Sequence, residues 1–235
     1  DPDQDLPGGA GLADYAGIIW TGSDLTIYHE DDPRVTRQIS LARRIFEVGV
    51  PSYGSCWGIQ MAAVAAGGTV AKHPKGREWC IARDIRLTDA GRRSPLMEGK
   101  PERFDGFIMH LDEVTRLPPG GTLLATGDHT RVQALEVRHG KGTFWSTQYH
   151  PEFNLREMGR LIAARAKPLT QEGFFAKEED VAGFAAQLEA LHNDSQSASL
   201  REALKIGDDI LDPAIREVEL RNWVDHLVLP GYNER

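Results

Sequence analysis

Cys56, His150 and Glu152 have the types and spacing that acyl chemistry needs. Cys56 lies in Gly54-Ser55-Cys56-Trp57-Gly58, with small residues on both sides of a thiol. A short apolar run precedes it and a helical pattern follows, which is the form of a nucleophile elbow. At a helix N-terminus the macrodipole and free N–H groups favour thiolate over thiol. The backbone N–H of Trp57 points into the same space and can donate to an oxyanion. A thiolate nucleophile needs a base, and the base needs an orienting group. His150-Pro151-Glu152 supplies both types. Residues i and i+2 of an extended chain face the same way, so His150 and Glu152 can meet, with Pro151 fixing the backbone between them. Taken singly, each motif also has a plainer reading: Cys56 as a small buried hydrophobe at a strand end, His-Pro-Glu as a polar loop. Their joint occurrence, in this order, favours catalysis.

The elements around these residues must form a sheet. Gly17-Ile18-Ile19-Trp20 is a short apolar run, the pattern of a strand buried on both faces. Asp32-Pro33 opens a helix whose apolar face is Val35, Ile39, Ala42, Ile45 and Phe46, ending near Gly49. A strand over 50–53 then leads into the elbow, and 59–66 is helical up to Gly67-Gly68. Strand, helix, strand, turn, helix is the rhythm of a parallel sheet with crossover helices. Segments 80–88, 104–109, 122–126, 132–137 and 143–149 read as strands that extend the sheet or form a small antiparallel layer, with a hairpin loop at 138–142. A helix over 154–166 closes the domain. Beyond Lys167 the pattern is helical, over 178–192 and 214–229, with a polar loop at 193–199 and a cap at Asp212-Pro213. The apolar faces of this tail must bury against the main domain, a second copy or a partner. The expected class is therefore α/β: a mostly parallel central sheet flanked by helices over 1–167, then an α-helical C-terminal extension over 168–235.

Composition narrows the function. The 235 residues are 40% hydrophobic and 26% charged, an ordinary globular mix that needs no disulfide or metal staple. A net charge of −8 disfavours a general nucleic-acid binder. No run of about 18 apolar residues exists, which argues against a spanning helix. Two cysteines make no disulfide framework, so a reducing, cytoplasmic setting is expected. The histidines show no metal-ligand spacing, and there is no phosphate-binding G-x-x-x-x-G-K-[ST] loop, so neither metal nor cofactor is expected. Cys80, beside Trp79, reads as inert core, and Glu178-Glu179-Asp180 as the acidic first turn of a helix.

The motifs resemble a known family. Gly54-Ser55-Cys56-Trp57-Gly58-Ile59-Gln60 matches the G-x-C-x-G-x-Q nucleophile motif of class I, triad-type glutamine amidotransferases. Gln148-Tyr149-His150-Pro151-Glu152 matches the segment carrying that family's catalytic His and Glu. His110, Asp112 and Val114 resemble its H-x-D-x-V segment, and Thr21-Gly22-Ser23 its oxyanion loop. The likeness covers roughly residues 10–165 and is nearest to stand-alone proteins similar to the amidotransferase domain of GMP synthase, which Gly76-Arg77-Glu78 also fits. It implies a flavodoxin-like three-layer fold. It implies that Cys56 attacks the side-chain amide of glutamine, His150 moves the proton and Glu152 orients His150. Trp57 and the Gly22-Ser23 turn would form the oxyanion hole. Gln60, Met109, His110 and Leu111 would help bind the substrate.

There are departures. The family often has two glycines followed by proline in the oxyanion loop, where Ser23 and Asp24 stand here, and Trp57 is bulky for its position. The family also opens with a strand, a helix and a second strand before the region matching Gly17. These are expected to precede Asp1, with 1–12 as the loop that follows them. The resemblance leaves three functions open: a glutaminase passing ammonia to a separate synthase subunit, a γ-glutamyl amide or peptide hydrolase with the same triad, and a low-turnover binding subunit. It also leaves open whether the helical tail pairs two copies as a homodimer.

Overall fold

A helix with clear boundaries lies behind the elbow. In a computed structural model that describes residues 9–233, α1 (Pro33–Val48) is capped by Asp32, whose carboxylate accepts the Arg34 N–H at 2.8 Å. Gly49 ends it at φ 90°, donating its N–H to Ile45 O at 2.9 Å. Val35, Ile39, Ala42, Ile45 and Phe46 are buried as the spacing predicts. The expected loop over 1–12 lies partly outside the described residues, and Gly9–Asp14 is a 3-10 helix.

The strands are β1 (Ile18–Trp20), β2 (Ser52–Ser55), β3 (Thr69–Lys72), β4 (Glu78–Leu87), β5 (Arg103–His110), β6 (Asp112–Arg116), β7 (Gly121–Thr126), β8 (Ala134–His139) and β9 (Gly142–Thr147). Seven of them form one sheet in the order β1-β2-β9-β8-β7-β4-β5. The pairings β1–β2 and β2–β9 are parallel, and the others are antiparallel. The class is α/β as expected, but the parallel part is confined to three strands. Parallel neighbours need long crossovers, whereas β8 and β9 are joined by a tight turn that holds Gly140 at φ 56°. The pair β3–β6 makes a separate two-stranded antiparallel sheet. The first strand departs from expectation: Ile19 is 55% exposed, because no element among the described residues covers the face of β1 to which it points.

Helix α2 (Trp57–Ala65) packs against β2 and β9. The C-terminal part comprises α3 (Leu155–Ala164), α4 (Ala166–Gln171), α5 (Glu178–Asn193), α6 (Ala198–Leu204), α7 (Asp208–Leu211), α8 (Pro213–Arg216), α9 (Val218–Trp223) and α10 (Leu229–Asn233). Its apolar faces pack on the sheet: Val181, Leu188 and Leu191 of α5 share a cluster with Leu155 and Met158 of α3 and with Cys80, Phe107 and Met109 of the strands. Trp223 joins a second cluster with Tyr53, Phe104 and Tyr149. Burying this apolar surface is the main force fixing the extension.

The single helix expected over 214–229 is broken at Glu217. Lys100 meets the break: its ammonium donates to the carbonyls of Ile215 at 3.0 Å and Arg216 at 3.2 Å. Those carbonyls would otherwise take N–H groups of the next turn. A π-helical turn at Val224–Val228 interrupts the remainder. Among the described residues no helix is long and apolar enough to cross a membrane.

Candidate active site

Adjacent parallel strands explain the meeting of residues far apart in sequence. Ser55, the last residue of β2, is in register with Thr147, the last of β9. The chain leaving each strand therefore emerges at the same sheet edge, the usual place for a site in an α/β fold. Cys56 follows β2, and His150 follows β9. The Cys56 N–H donates to Thr147 O at 2.8 Å, fixing one turn on the other.

Cys56 sits at φ 52°, ψ −95°, a left-handed backbone conformation that most side chains avoid. The surrounding packing holds it there. A Cβ on Gly54 would lie 2.6 Å from Gly58 Cα, and one on Gly58 would lie 3.1 Å from the Trp20 carbonyl oxygen. The turn thus needs both glycines, as its sequence implied. Helix α2 begins at the next residue, Trp57.

The polar groups form a line. His150 Nδ1 faces Glu152 Oε1 at 2.6 Å. Ser55 Oγ donates to that same carboxylate oxygen at 2.6 Å. The His150 ring stacks on Phe153 at 4.1 Å with 6° between planes, and its backbone N–H donates to Phe107 O at 2.7 Å. Gly22 lies against the ring, where a Cβ would come within 3.1 Å of His150 Cε1. The Cys56 thiol points toward Met109 O at 3.7 Å. Ser55 was not singled out from the sequence. Its signal was its place between Gly54 and Cys56, whose strand alternation turns it away from the thiol.

Burial alone would lower the His150 pKa. Hydrogen bonding and charge from Cys56 and Glu152 outweigh it and raise the value from 6.5 to about 10. Burial likewise pushes Glu152 up, but His150 and Ser55 hold it below the ordinary carboxylate value. In Glu152→Gln the His150 pKa should fall below that of the wild type, because only the Cys56 contribution then opposes burial, and an NMR titration of the ring reads the change. The raised pKa also stabilises the fold. This contribution is complete below about 6.5 and is lost as pH rises through about 10.

A cavity of about 230 Å³ opens at Cys56. Ser23, Trp57, Gln60, Met109, His110 and Leu111 all line it, so the structure brings the sequence-derived residues together; Gly22 lies beside it against His150. The Gln60 amide donates to Asp112 O at 3.1 Å. The Trp57 indole N–H turns back to Gln38 Oε1 at 2.9 Å, holding α2 to α1. The His110 ring is engaged on both sides, by Asp112 O at 2.9 Å and Glu78 Oε2 at 3.1 Å. The pairing of β4 with β5 sets Glu78 opposite His110. Burial raises the Glu78 pKa, but His110 and Thr130 hold it below the usual range. Asp112, whose carboxylate accepts the Tyr28 hydroxyl at 2.9 Å, also lines the cavity, as do Arg77 and Arg165. Arg165 carries no sequence signal for the site, because it reaches it from the far end of α3. Among the described residues no group of His, Cys, Asp and Glu side chains is arranged to hold a metal ion.

A sequence model of class-I glutamine amidotransferases matches residues 17–166. The chain belongs to this family. The relatives it matches differ in extent. A gamma-glutamyl-L-1-hydroxyisopropylamide hydrolase of Pseudomonas sp. is 36% identical over 232 residues, 97% of this chain and 77% of that protein. The glutamine-hydrolysing GMP synthase of Leifsonia xyli subsp. xyli is 34% identical over 147 residues, 63% of this chain and 28% of the synthase. The chain thus spans about a quarter of the length of that synthase. A glutamine amidotransferase of Thermotoga maritima superposes with a TM-score of 0.66 at 20% identity, covering 96% of this chain and 82% of that one, a likeness of fold.

Proposed function

We propose that the protein hydrolyses γ-glutamyl amides through a thioester on Cys56, with His150 as acid–base and Glu152 orienting His150. With its pKa raised to about 10, His150 already holds the proton that Cys56 gives up, and the sulfur bonds to the γ-carbonyl carbon. The oxyanion is held by the N–H of Trp57 and a backbone N–H of the Gly22-Ser23 turn. The C–N bond then breaks, and His150 returns the proton to the departing amine. Water next attacks the thioester, giving up a proton to His150. Glutamate leaves and the proton returns to sulfur. The observation that carries this is that His150, held by Glu152 at 2.6 Å, interacts with Cys56, and that Cys56 lines a small polar cavity.

An N-substituted amide is favoured as substrate by the relative that matches 97% of the chain, helical extension included, and is itself a γ-glutamyl amide hydrolase. A second reading has glutamine as substrate and ammonia passed to a separate synthase. The likeness to GMP synthases over the amidotransferase region favours it. Glutamate release measured on glutamine and on small γ-glutamyl alkylamides separates them. The first reading expects the alkylamide to win by at least about tenfold in kcat/KM, the scale of a few extra apolar contacts. Preference for glutamine, with a synthase co-purifying, overturns it in favour of the second.

A further inference from the structure

We propose that Arg165 is the counter-charge for the substrate's α-carboxylate, and so selects γ-glutamyl compounds with a free α-acid; this rests on the reading of Cys56 as the nucleophile of a γ-glutamyl hydrolase. Two arginines line the Cys56 cavity, Arg77 and Arg165. Arg77 is occupied: its Nε and Nη2 donate to the two oxygens of Glu172 at 2.7 and 2.8 Å. Arg165 is half-buried, and its side chain has no hydrogen-bond or ion-pair partner among the described residues. A partly desolvated cation without a partner is unfavourable, and an anion entering the cavity offsets that cost.

The position of Arg165 is fixed. Its N–H donates to Ile162 O at 2.9 Å at the end of α3, and its carbonyl accepts the Leu169 N–H at 3.0 Å at the start of α4. The backbone that carries the cation is therefore fixed before substrate arrives, and an anion in the cavity supplies the partner the guanidinium lacks. A γ-glutamyl substrate placed with its γ-carbonyl at Cys56 still has an anionic α-carboxylate at its other end. A guanidinium matches a carboxylate as a fork, with two parallel hydrogen bonds, which an ammonium cannot reproduce. Of the other charged groups lining the cavity, Asp24 and Asp112 have the wrong sign and Arg77 is already paired.

The test follows amine release from two γ-glutamyl ethylamides, one with a free α-carboxylate and one with an α-carboxamide, on wild type, Arg165→Gln and Arg165→Lys. Wild type should prefer the free acid. Arg165→Gln should lose about 10- to 100-fold in kcat/KM on the acid, mainly through KM, and change little on the carboxamide. Arg165→Lys should restore part of the loss. Equal losses on both compounds, or undiminished preference in Arg165→Gln, overturn the assignment while leaving the hydrolase reading intact. Wild type that turns over neither compound overturns the hydrolase reading, and the role of Arg165 with it. Circular dichroism of each variant confirms that the comparison is between folded proteins.

Discussion

Cys56→Ala should lower glutamate release from γ-glutamyl amides by about four orders of magnitude or more, the scale seen when a nucleophile of a triad is removed. The reason is geometric. Cys56 is held at φ 52° by Gly54, Gly58 and the hydrogen bond to Thr147, so no neighbouring group can take its place. His150 and Glu152 remain aligned without the sulfur, because their hydrogen bond and the Ser55 contact do not involve it. The variant should therefore keep its fold, with a change in stability of about 1 kcal/mol or less, since little volume is removed. His150→Ala should show a comparable loss. The double variant should lose hardly more than either single one, because the residues act as a unit. Additive losses would mean that Cys56 and His150 work independently.

Glu219→Ala should produce the largest loss of stability. The Glu219 side chain is 0% exposed and that of Lys100 2%, and the two meet at 3.0 Å. Glu219 also accepts the Tyr149 hydroxyl, and Lys100 sits 4.6 Å from the centre of the Phe104 ring. Removing the carboxylate leaves a buried ammonium with neutral partners alone, the carbonyls of Ile215 and Arg216 and the rings of Phe104 and Tyr149. Breaking one side of such a pair costs about 3–5 kcal/mol. Urea unfolding curves read the loss as a lower midpoint with an unchanged slope. The double variant Lys100→Met, Glu219→Leu removes both charges and should recover most of it. No recovery would show that the helix break at Glu217 needs the ammonium. The cluster also borders the site, since Tyr149 precedes His150 in the chain. Glu219→Ala should consequently lower kcat in the fraction that remains folded.

What the sequence made legible was local. The elbow glycines, the Asp32 cap, the Gly49 stop and the His-Pro-Glu spacing are short-range signals, and each takes its expected form. Cys80 is buried, with its thiol pushed up to about 12, as inert core should be. Less legible was whatever depends on partners distant in sequence. Nothing near Lys100 announces that its ammonium will cap carbonyls at Ile215 and Arg216, where the last helix is broken. The strand β6 carries Asp112, Glu113, Thr115 and Arg116 in its five residues, too polar for an apolar alternation to reveal it. Only its pairing with β3 defines it. Ile19 has the composition of a doubly buried strand, yet burial depends on what lies over it, and that is a property of the whole sheet.

If Cys56 is the nucleophile, turnover passes through a covalent γ-glutamyl thioester on its sulfur. The direct measurement is mass spectrometry of the protein quenched in acid during turnover of a γ-glutamyl alkylamide. The Cys56 peptide should carry one added γ-glutamyl group, absent in Cys56→Ala. The adduct should accumulate in Glu152→Gln, where the orienting carboxylate is gone and deacylation slows. Sustained turnover with an unmodified Cys56 peptide, or with the group on Cys80, would contradict it.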